Sequence, residues 1–240
     1  MTRLKIGDIV ARKSYDHDIL FKIMDIVEDS NNKRTFILKG TNLRIIADSP
    51  EGDLTKVPLN KVDQFNKTFN KRINEIVINI LKERKENHYR SLTRSITEYS
   101  RESSHFGRPG KVLHLDGDGE YIDVCLKVYK QLDIEAVGKV IPENQQPKVV
   151  EKLLKEYNPD ILILTGHDSI LKGKDDFTNI ENYRNSKYFV ESVKEARKYE
   201  SSMDELVIFA GACQSLFEVI IEAGANFASS PHRTLIECRI

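Results

Sequence analysis

The chain has no tryptophan, only three cysteines and no net charge, 37 basic residues balancing 37 acidic ones over 240 positions. That balance removes any general attraction to nucleic acid or an anionic membrane. Cys125, Cys213 and Cys238 form an odd set without disulfide-like spacing, which argues against a secreted disulfide scaffold and suits a reducing compartment. No Cys/His cluster has zinc spacing, so no metal is expected. Apolar runs stop far short of the ~18 residues that span a bilayer. The N-terminal stretch Met1-Thr2-Arg3-Leu4-Lys5-Ile6 enters Gly7-Asp8 without the apolar core of a signal peptide. Neither a Walker loop nor a full Gly-x-Gly-x-x-Gly fingerprint occurs, and there is no internal repeat or low-complexity segment. The expectation is a soluble, cytoplasmic protein that needs no cofactor.

What is present falls into three parts. Residues 1–58 alternate short apolar stretches with turns: Asp8–Arg12, Leu20–Val27, Arg34–Lys39 and Leu43–Asp48, with Asp29-Ser30-Asn31-Asn32 as a turn signal. Such spacing predicts a small SH3-like β-barrel or curled sheet, an architecture that does not by itself define a function. Residues 59–106 form a charged helical linker, with helical apolar spacing over Lys71–Leu81 followed by Lys82-Glu83-Arg84-Lys85-Glu86. Residues 107–240 alternate strands (Val112–Leu115, Glu135–Ile141, Ile161–Thr165, Leu206–Ala210, Asn226–Ser229) with helices (Tyr121–Gln131, Gln146–Tyr157, Tyr188–Tyr199, Ser215–Ala223). That alternation predicts an α/β domain with a parallel sheet and helices on both faces.

Two strand ends carry reactive side chains. Leu206–Ala212 runs into Cys213, and Ile161–Gly166 runs into His167-Asp168. In open α/β sheets ligands bind beyond the carboxyl ends of the strands, where a thiol and an imidazole on neighbouring strands make a nucleophile–base pair. The His precedes the Cys by 213 − 167 = 46 residues, the order and rough spacing of the caspase-like pattern. Cys213 is expected at a helix N-terminus, where the dipole lowers a thiol pKa, and backbone N–H groups near Gly166 and Cys213 are expected to hold an oxyanion. Asp168 is a possible orienting group for His167, although adjacent side chains often diverge. The third strand end, His114-Leu115-Asp116-Gly117-Asp118-Gly119, puts two acids at the same edge, suited to a cationic substrate side chain. Ser229 and Ser230 reach that edge from the last strand and are expected to line the pocket. His232 is a weaker competing base, and Cys125 and Cys238 read as structural.

The stretches Gly7–Tyr15, Gly110–Asp118, Thr165–Asp168, Ile208–Ser215 and Ala223–Pro231 resemble the sporulation-specific protease YabG family of spore-forming Firmicutes, over nearly the whole chain. The resemblance implies a cysteine endopeptidase with Cys213 and His167 as catalytic residues. It implies spore coat and cortex-associated proteins as substrates, in the mother cell of a sporulating bacterium. It also implies cleavage after Arg or another basic residue, with Asp116 or Asp118 as the carboxylate that binds it. The His-then-Cys order is similar to that of the caspase, gingipain and legumain group, which implies a caspase-like three-layer domain. By that resemblance, family members continue past the Ser-Ser-Pro-x-Arg region whereas this chain stops at Ile240; if it is a truncated form, pocket walls or a sheet edge strand would be missing. Two rival readings remain. A strand followed by Asp-x-Asp is similar to the haloacid-dehalogenase phosphatases, which would make Asp116 and Asp118 the centre of a magnesium-dependent phosphohydrolase, with only Asp175-Asp176 available downstream. The other is a non-enzymatic coat scaffold that binds through the N-terminal barrel.

Overall fold

A computed structural model describes residues 3–28, 33–42, 44–95, 109–171 and 173–229, the side chains of 87–95 excepted. The N-terminal sheet comprises β1 (Ile9–Arg12), β2 (Leu20–Glu28), β3 (Arg34–Gly40), β4 (Ile46–Pro50) and β5 (Leu54–Lys56). Its antiparallel order is β4-β3-β2-β1-β5. Alternating side chains put Val10, Phe21, Ile23, Phe36, Leu38, Ala47 and Leu54 into one core. Among the described residues β4 and β5 do not pair with each other, so of the two expected forms, barrel or curled sheet, no closed barrel is formed. The pattern also missed β5, which is only three residues long.

The helical prediction over residues 59–106 is met by one helix, α1 (Leu59–Ser95); residues 96–106 lie outside the described part. Val77 is buried while Leu59, Ile76 and Ile78 are exposed. Arg84 ties the helix to the rest of the chain by donating to the Leu132 carbonyl at 2.6 Å.

The second half runs β6 (Val112–Asp116), α2 (Gly119–Gln131), β7 (Ala136–Val140), α3 (Gln146–Tyr157), β8 (Ile161–Thr165), α4 (Ser186–Tyr199), β9 (Val207–Gly211), α5 (Phe217–Glu222) and β10 (Phe227–Ser229). All pairings are parallel, in the order β10-β9-β8-β6-β7. Helices lie on both faces of the sheet: α3, α4 and α5 on one, and α2 on the other over β6 and β7. Leu113, Leu115, Leu162, Leu164 and Ile208 pack with Val150 and Leu154 of α3, Phe189 and Val193 of α4 and Ile220 of α5. The alternate residues of β6 and β7 meet α2: His114 bonds Tyr129, and Gly138 lies against Ile122 and Leu126. The chain leaves β6 toward one edge, to β7, and returns across it to β8. Strand order therefore reverses between β6 and β8, the place where open α/β sheets form a ligand crevice.

The expected helix start at Ser215 moves to Phe217. The Ser215 hydroxyl accepts from the Ala212 N–H at 2.9 Å, and the Leu216 N–H is taken by Ser186 Oγ at 2.9 Å. These side-chain bonds hold residues 212–216 in a turn, delaying the helix.

Candidate active site

Register brings the two reactive residues out of neighbouring strands at the same sheet edge. Leu164 of β8 is opposite Ala210 of β9, and His167 and Cys213 each lie three residues beyond that pair. Neighbouring strands are about 4.8 Å apart. Asp116, opposite Thr165, ends β6, and Asp118 follows two residues later. The crevice at the switch point thus collects a thiol, an imidazole and two carboxylates.

Asp118, and not Asp168, partners His167: Nε2 is 3.0 Å from Asp118 Oδ2. Asp118 also caps α2 by accepting from the Glu120 N–H at 2.9 Å. Lys39 of β3 reaches across to Asp118 Oδ2 at 2.7 Å and to Glu120 at 2.8 Å. Burial pushes the Asp118 carboxyl up, but bonds from Lys39 and His167 outweigh it and hold the pKa well below the usual range. The ring of Tyr121 meets that of His167 edge-on at 5.9 Å between centroids. Burial pushes the Tyr121 phenol up to about 12, so it stays protonated; it donates to the Gly40 carbonyl at 3.1 Å.

Asp116 is fully buried. Its Oδ2 accepts from Thr165 Oγ1 at 2.7 Å and pairs with the guanidinium of Arg44, while Oδ1 accepts from the Asp118 N–H at 2.8 Å. Burial raises its pKa, but the His114 imidazole, the Arg44 charge and the Thr165 hydroxyl together lower it below the ordinary value. Because Thr165 Oγ1 gives its proton to Asp116, it accepts one from His114 Nε2 at 2.7 Å, and His114 Nδ1 is left to accept from the Tyr129 hydroxyl at 3.1 Å.

The Cys213 thiol faces the backbone carbonyl of Arg44, which lies between β3 and β4. Burial raises its pKa, opposed by the Arg44 charge and its own backbone N–H. The expected lowering by a helix dipole is thus corrected: Cys213 sits in a turn ahead of the six-residue α5, in a desolvated setting.

Asp168 works as an anchor. Oδ1 accepts from the Ser169 N–H at 2.9 Å and the Asn185 N–H at 2.8 Å; Oδ2 accepts from Ser186 Oγ and from Ser215 Oγ at 2.9 Å. Burial outweighs these bonds and leaves its pKa raised. The network binds the His167 turn to the Cys213 turn through the start of α4. Asn185 adds a bond from Nδ2 to the His167 carbonyl at 2.6 Å. Glu143, after β7, accepts from the His167 N–H at 2.6 Å. A Cβ at Gly117 or Gly166 would overlap the Glu143 side chain, so a larger residue at either turn would displace the carboxylate that accepts from the His167 N–H.

Asn185, Ser186, Glu143, Arg44 and Lys39 were missed from sequence. Asn185-Ser186 ahead of an amphipathic stretch is a helix-start signature that marked the first two; nothing local marked the rest. Of the other expected residues, Ser229 lies on β10 opposite Gly211 of β9, beside the Cys213 turn. Ser230, His232 and Cys238 lie outside the described residues. Cys125 is on α2, half-buried, its pKa raised by burial. Asp176 caps its own loop through Thr178, at 2.9 Å from the backbone N–H and 2.6 Å from the hydroxyl. Among the described residues no three His, Cys, Asp or Glu side chains are grouped to hold a metal, and no helix is long and apolar enough to cross a membrane.

These features define an α/β protein whose parallel sheet carries a Cys, a His and paired acids at the carboxyl edge of its switch point. Comparison with known sequences narrows that class. The chain belongs to the YabG peptidase U57 family, whose model matches residues 5–239, and is a peptide-bond hydrolase. It is 43% identical over 242 residues to the sporulation-specific protease YabG of Bacillus subtilis (strain 168), an alignment covering 98% of this chain and 81% of that protein. Among solved structures, a cobalamin-binding protein from Desulfitobacterium hafniense DCB-2 is 20% identical at a TM-score of 0.31, over 51% of this chain and 53% of its own. A protein described as pilus assembly-related, from Burkholderia pseudomallei K96243, is 11% identical at a TM-score of 0.35, over 54% and 83%. Similarity at that level carries no argument about this chain.

Proposed function

We propose that the chain is a sporulation cysteine endopeptidase that cuts after Arg, with Cys213 as nucleophile, His167 as general base and acid, and Asp118 as the group that orients His167. The observation that supports the reading is that Cys213 and His167 each follow, by three residues, a registered pair on neighbouring strands, with the His167 ring held on Asp118 at 3.0 Å. His167 takes the thiol proton as sulfur attacks the scissile carbonyl carbon, and returns it to the leaving amine. The resulting thioester is opened by a water that His167 deprotonates, releasing the acid product and the thiol. Backbone N–H groups around Gly166 and Cys213 are the proposed oxyanion donors. Asp116, Gly166 and the face of Tyr121 are the proposed seat for a substrate guanidinium, with Ser229 and Ser230 toward the rim; the supporting observation is that Arg44 is held there.

The proposed substrates are spore coat and cortex-associated proteins, met in the mother cell. Residues 1–58, 59–106 and 107–240 are proposed as docking module, linker and peptidase domain. The order β4-β3-β2-β1-β5 and the short helical turn before β5 support an SH3-like module, and helices on both faces of the parallel sheet support caspase-like layering. The phosphohydrolase alternative is disfavoured because both its acids are engaged, Asp116 with Arg44 and Asp118 with Lys39.

The test is hydrolysis of an Arg-containing coat-protein fragment before and after iodoacetamide, with and without EDTA, the alkylated residue being located by mass spectrometry. Loss of cleavage in step with modification of Cys213, and indifference to EDTA, is expected. Cleavage that survives full Cys213 alkylation would sink the mechanism. A second expected result concerns the orienting carboxylate. Asp118→Asn keeps a cap and a hydrogen-bonding group but loses the negative charge that supports an imidazolium. It should lower kcat by about 10²–10⁴-fold with little change in KM, measured by initial rates on the same fragment.

A further inference from the structure

Lys39 belongs to β3 of the N-terminal sheet, yet its ammonium is spent on the crevice of the other sheet. It donates to Asp118 Oδ2 at 2.7 Å and to Glu120 at 2.8 Å. The same Asp118 oxygen holds His167 Nε2 at 3.0 Å. Asp118 is ionised, and an ionised carboxylate only accepts. Nε2 therefore carries the ring proton, and Nδ1 is the nitrogen left to act as a base. Two donors on one oxygen put the ammonium within about 6 Å of the imidazole, the range over which one charge shifts the protonation of another. The Lys39 Nζ also lies 5.1 Å from the centre of the Tyr121 ring, which meets His167 edge-on. The strand end beside it is fixed, because the Gly40 carbonyl accepts from the Tyr121 hydroxyl at 3.1 Å. Burial lowers the Lys39 pKa, but its bonds to Asp118 and Glu120 outweigh that and leave it raised, so the side chain stays charged.

We propose that Lys39 is a positioning residue of the peptidase centre: its charge, placed on the oxygen that holds His167, keeps the imidazole unprotonated and so able to take the thiol proton. This rests on the reading of His167 as general base and makes the N-terminal sheet part of the catalytic centre. The sign follows from the two charges. Asp118 by itself favours the imidazolium, a form with no nitrogen free to accept a proton. The Lys39 ammonium opposes that form. With the ammonium gone, His167 holds its second proton to higher pH. The other charged and titratable groups around His167 are engaged differently. Arg44 is paired with Asp116 and donates to the Gly166 carbonyl. Glu143 accepts from the His167 backbone N–H. Asp168 is tied to Ser186 and Ser215. Tyr121 stays protonated, and the exposed Glu120 carboxylate is paired with Lys39 itself. The Cys213 thiol, desolvated, is the proton donor in the reaction. Lys39 is the cation that shares the acceptor of the imidazole.

The experiment measures kcat/KM against pH for the full chain, with a fluorogenic peptide carrying Arg before the scissile amide, in the wild type, Lys39→Met and Lys39→Arg. In parallel, the His ring signals are followed by NMR over the same pH range in the Cys213→Ala background, where no thiol titrates alongside; the His167 signal is the one lost in His167→Gln. In Lys39→Met the acidic limb of the rate profile and the His167 titration midpoint should both move up by about one unit. Activity on the acid side of the limb is then about tenfold lower, and the loss fades as the pH rises. Lys39→Arg keeps the charge and should restore the wild-type limb and midpoint. Lys39→Gln keeps a donor for Asp118 without the charge, so it should give the same rise if Lys39→Met does not fold. A uniform loss of rate in the neutral variants, with limb and midpoint unmoved, makes Lys39 a structural tie and overturns the proposal. A midpoint that rises in Lys39→Met while even the wild type leaves the peptide intact upholds the coupling of Lys39 to His167 and overturns the peptidase reading instead.

Discussion

Cys213→Ala should abolish peptide hydrolysis, lowering kcat/KM by about 10⁴-fold or more, and His167→Ala should approach the same loss. The two effects should not add. Burial raises the Cys213 thiol pKa, so the resting sulfur is protonated at neutral pH and attacks only when a base removes its proton. Without His167 the thiol is present but inert; without Cys213 the imidazole has nothing to activate. The double variant should therefore be about as slow as either single one. Initial rates for the four proteins on one Arg-containing fragment check this. Losses that multiply would mean that the residues act in separate steps, contrary to a nucleophile–base pair. Both positions lie in turns beyond the strands, so circular dichroism and melting should show folds like that of the wild type.

The largest effect on stability is expected at Asp168. Its carboxylate takes two backbone N–H groups and two hydroxyls from three segments of chain. Asp168→Ala strands these donors in a buried site and should cost about 3–5 kcal/mol, seen as a lower denaturant midpoint. Activity should fall further than the folded fraction does, because the Ser186 and Ser215 hydroxyls that fix residues 212–216 lose their common acceptor. Asp168→Asn keeps one acceptor oxygen, and the hydroxyls can rotate to accept from its amide, so it should recover more than half of the lost stability. Its raised pKa points the same way, since the site tolerates a neutral side chain better than most aspartates do. An Asp168→Ala protein as stable as the wild type would show that the network is filled by water and positions nothing.

Much of the α/β half was legible in the sequence because its signals are local. Apolar runs such as Ile161–Thr165 are buried on one face and half-buried on the other, and amphipathic runs such as Gln146–Tyr157 pack against the buried face; each pattern has one economical solution. The strand-to-turn ends placed Cys213, His167 and Asp116-Gly117-Asp118 on one edge before any coordinates were needed. Helix boundaries were less legible where side chains compete with the backbone, as at Ser215, whose hydroxyl bonds to Ala212 and Asp168 keep the helix from starting until Phe217.

The sequence by itself therefore determined the alternation of elements, the parallel sheet and the strand ends that carry the chemistry. Only the tertiary structure decided how those side chains are partnered. His167 takes its carboxylate from the start of α2, 49 residues earlier, instead of from its neighbour Asp168, because successive residues beyond a strand point apart while separate strand ends converge at the crevice. It likewise decided that the N-terminal sheet sends Lys39 and Arg44 into that crevice, over 79 and 72 residues of chain to Asp118 and Asp116. Hydrophobic periodicity describes what each segment does with water and with its immediate neighbours. Contacts between charges far apart in sequence are set by how the sheets pack, and no local pattern encodes them.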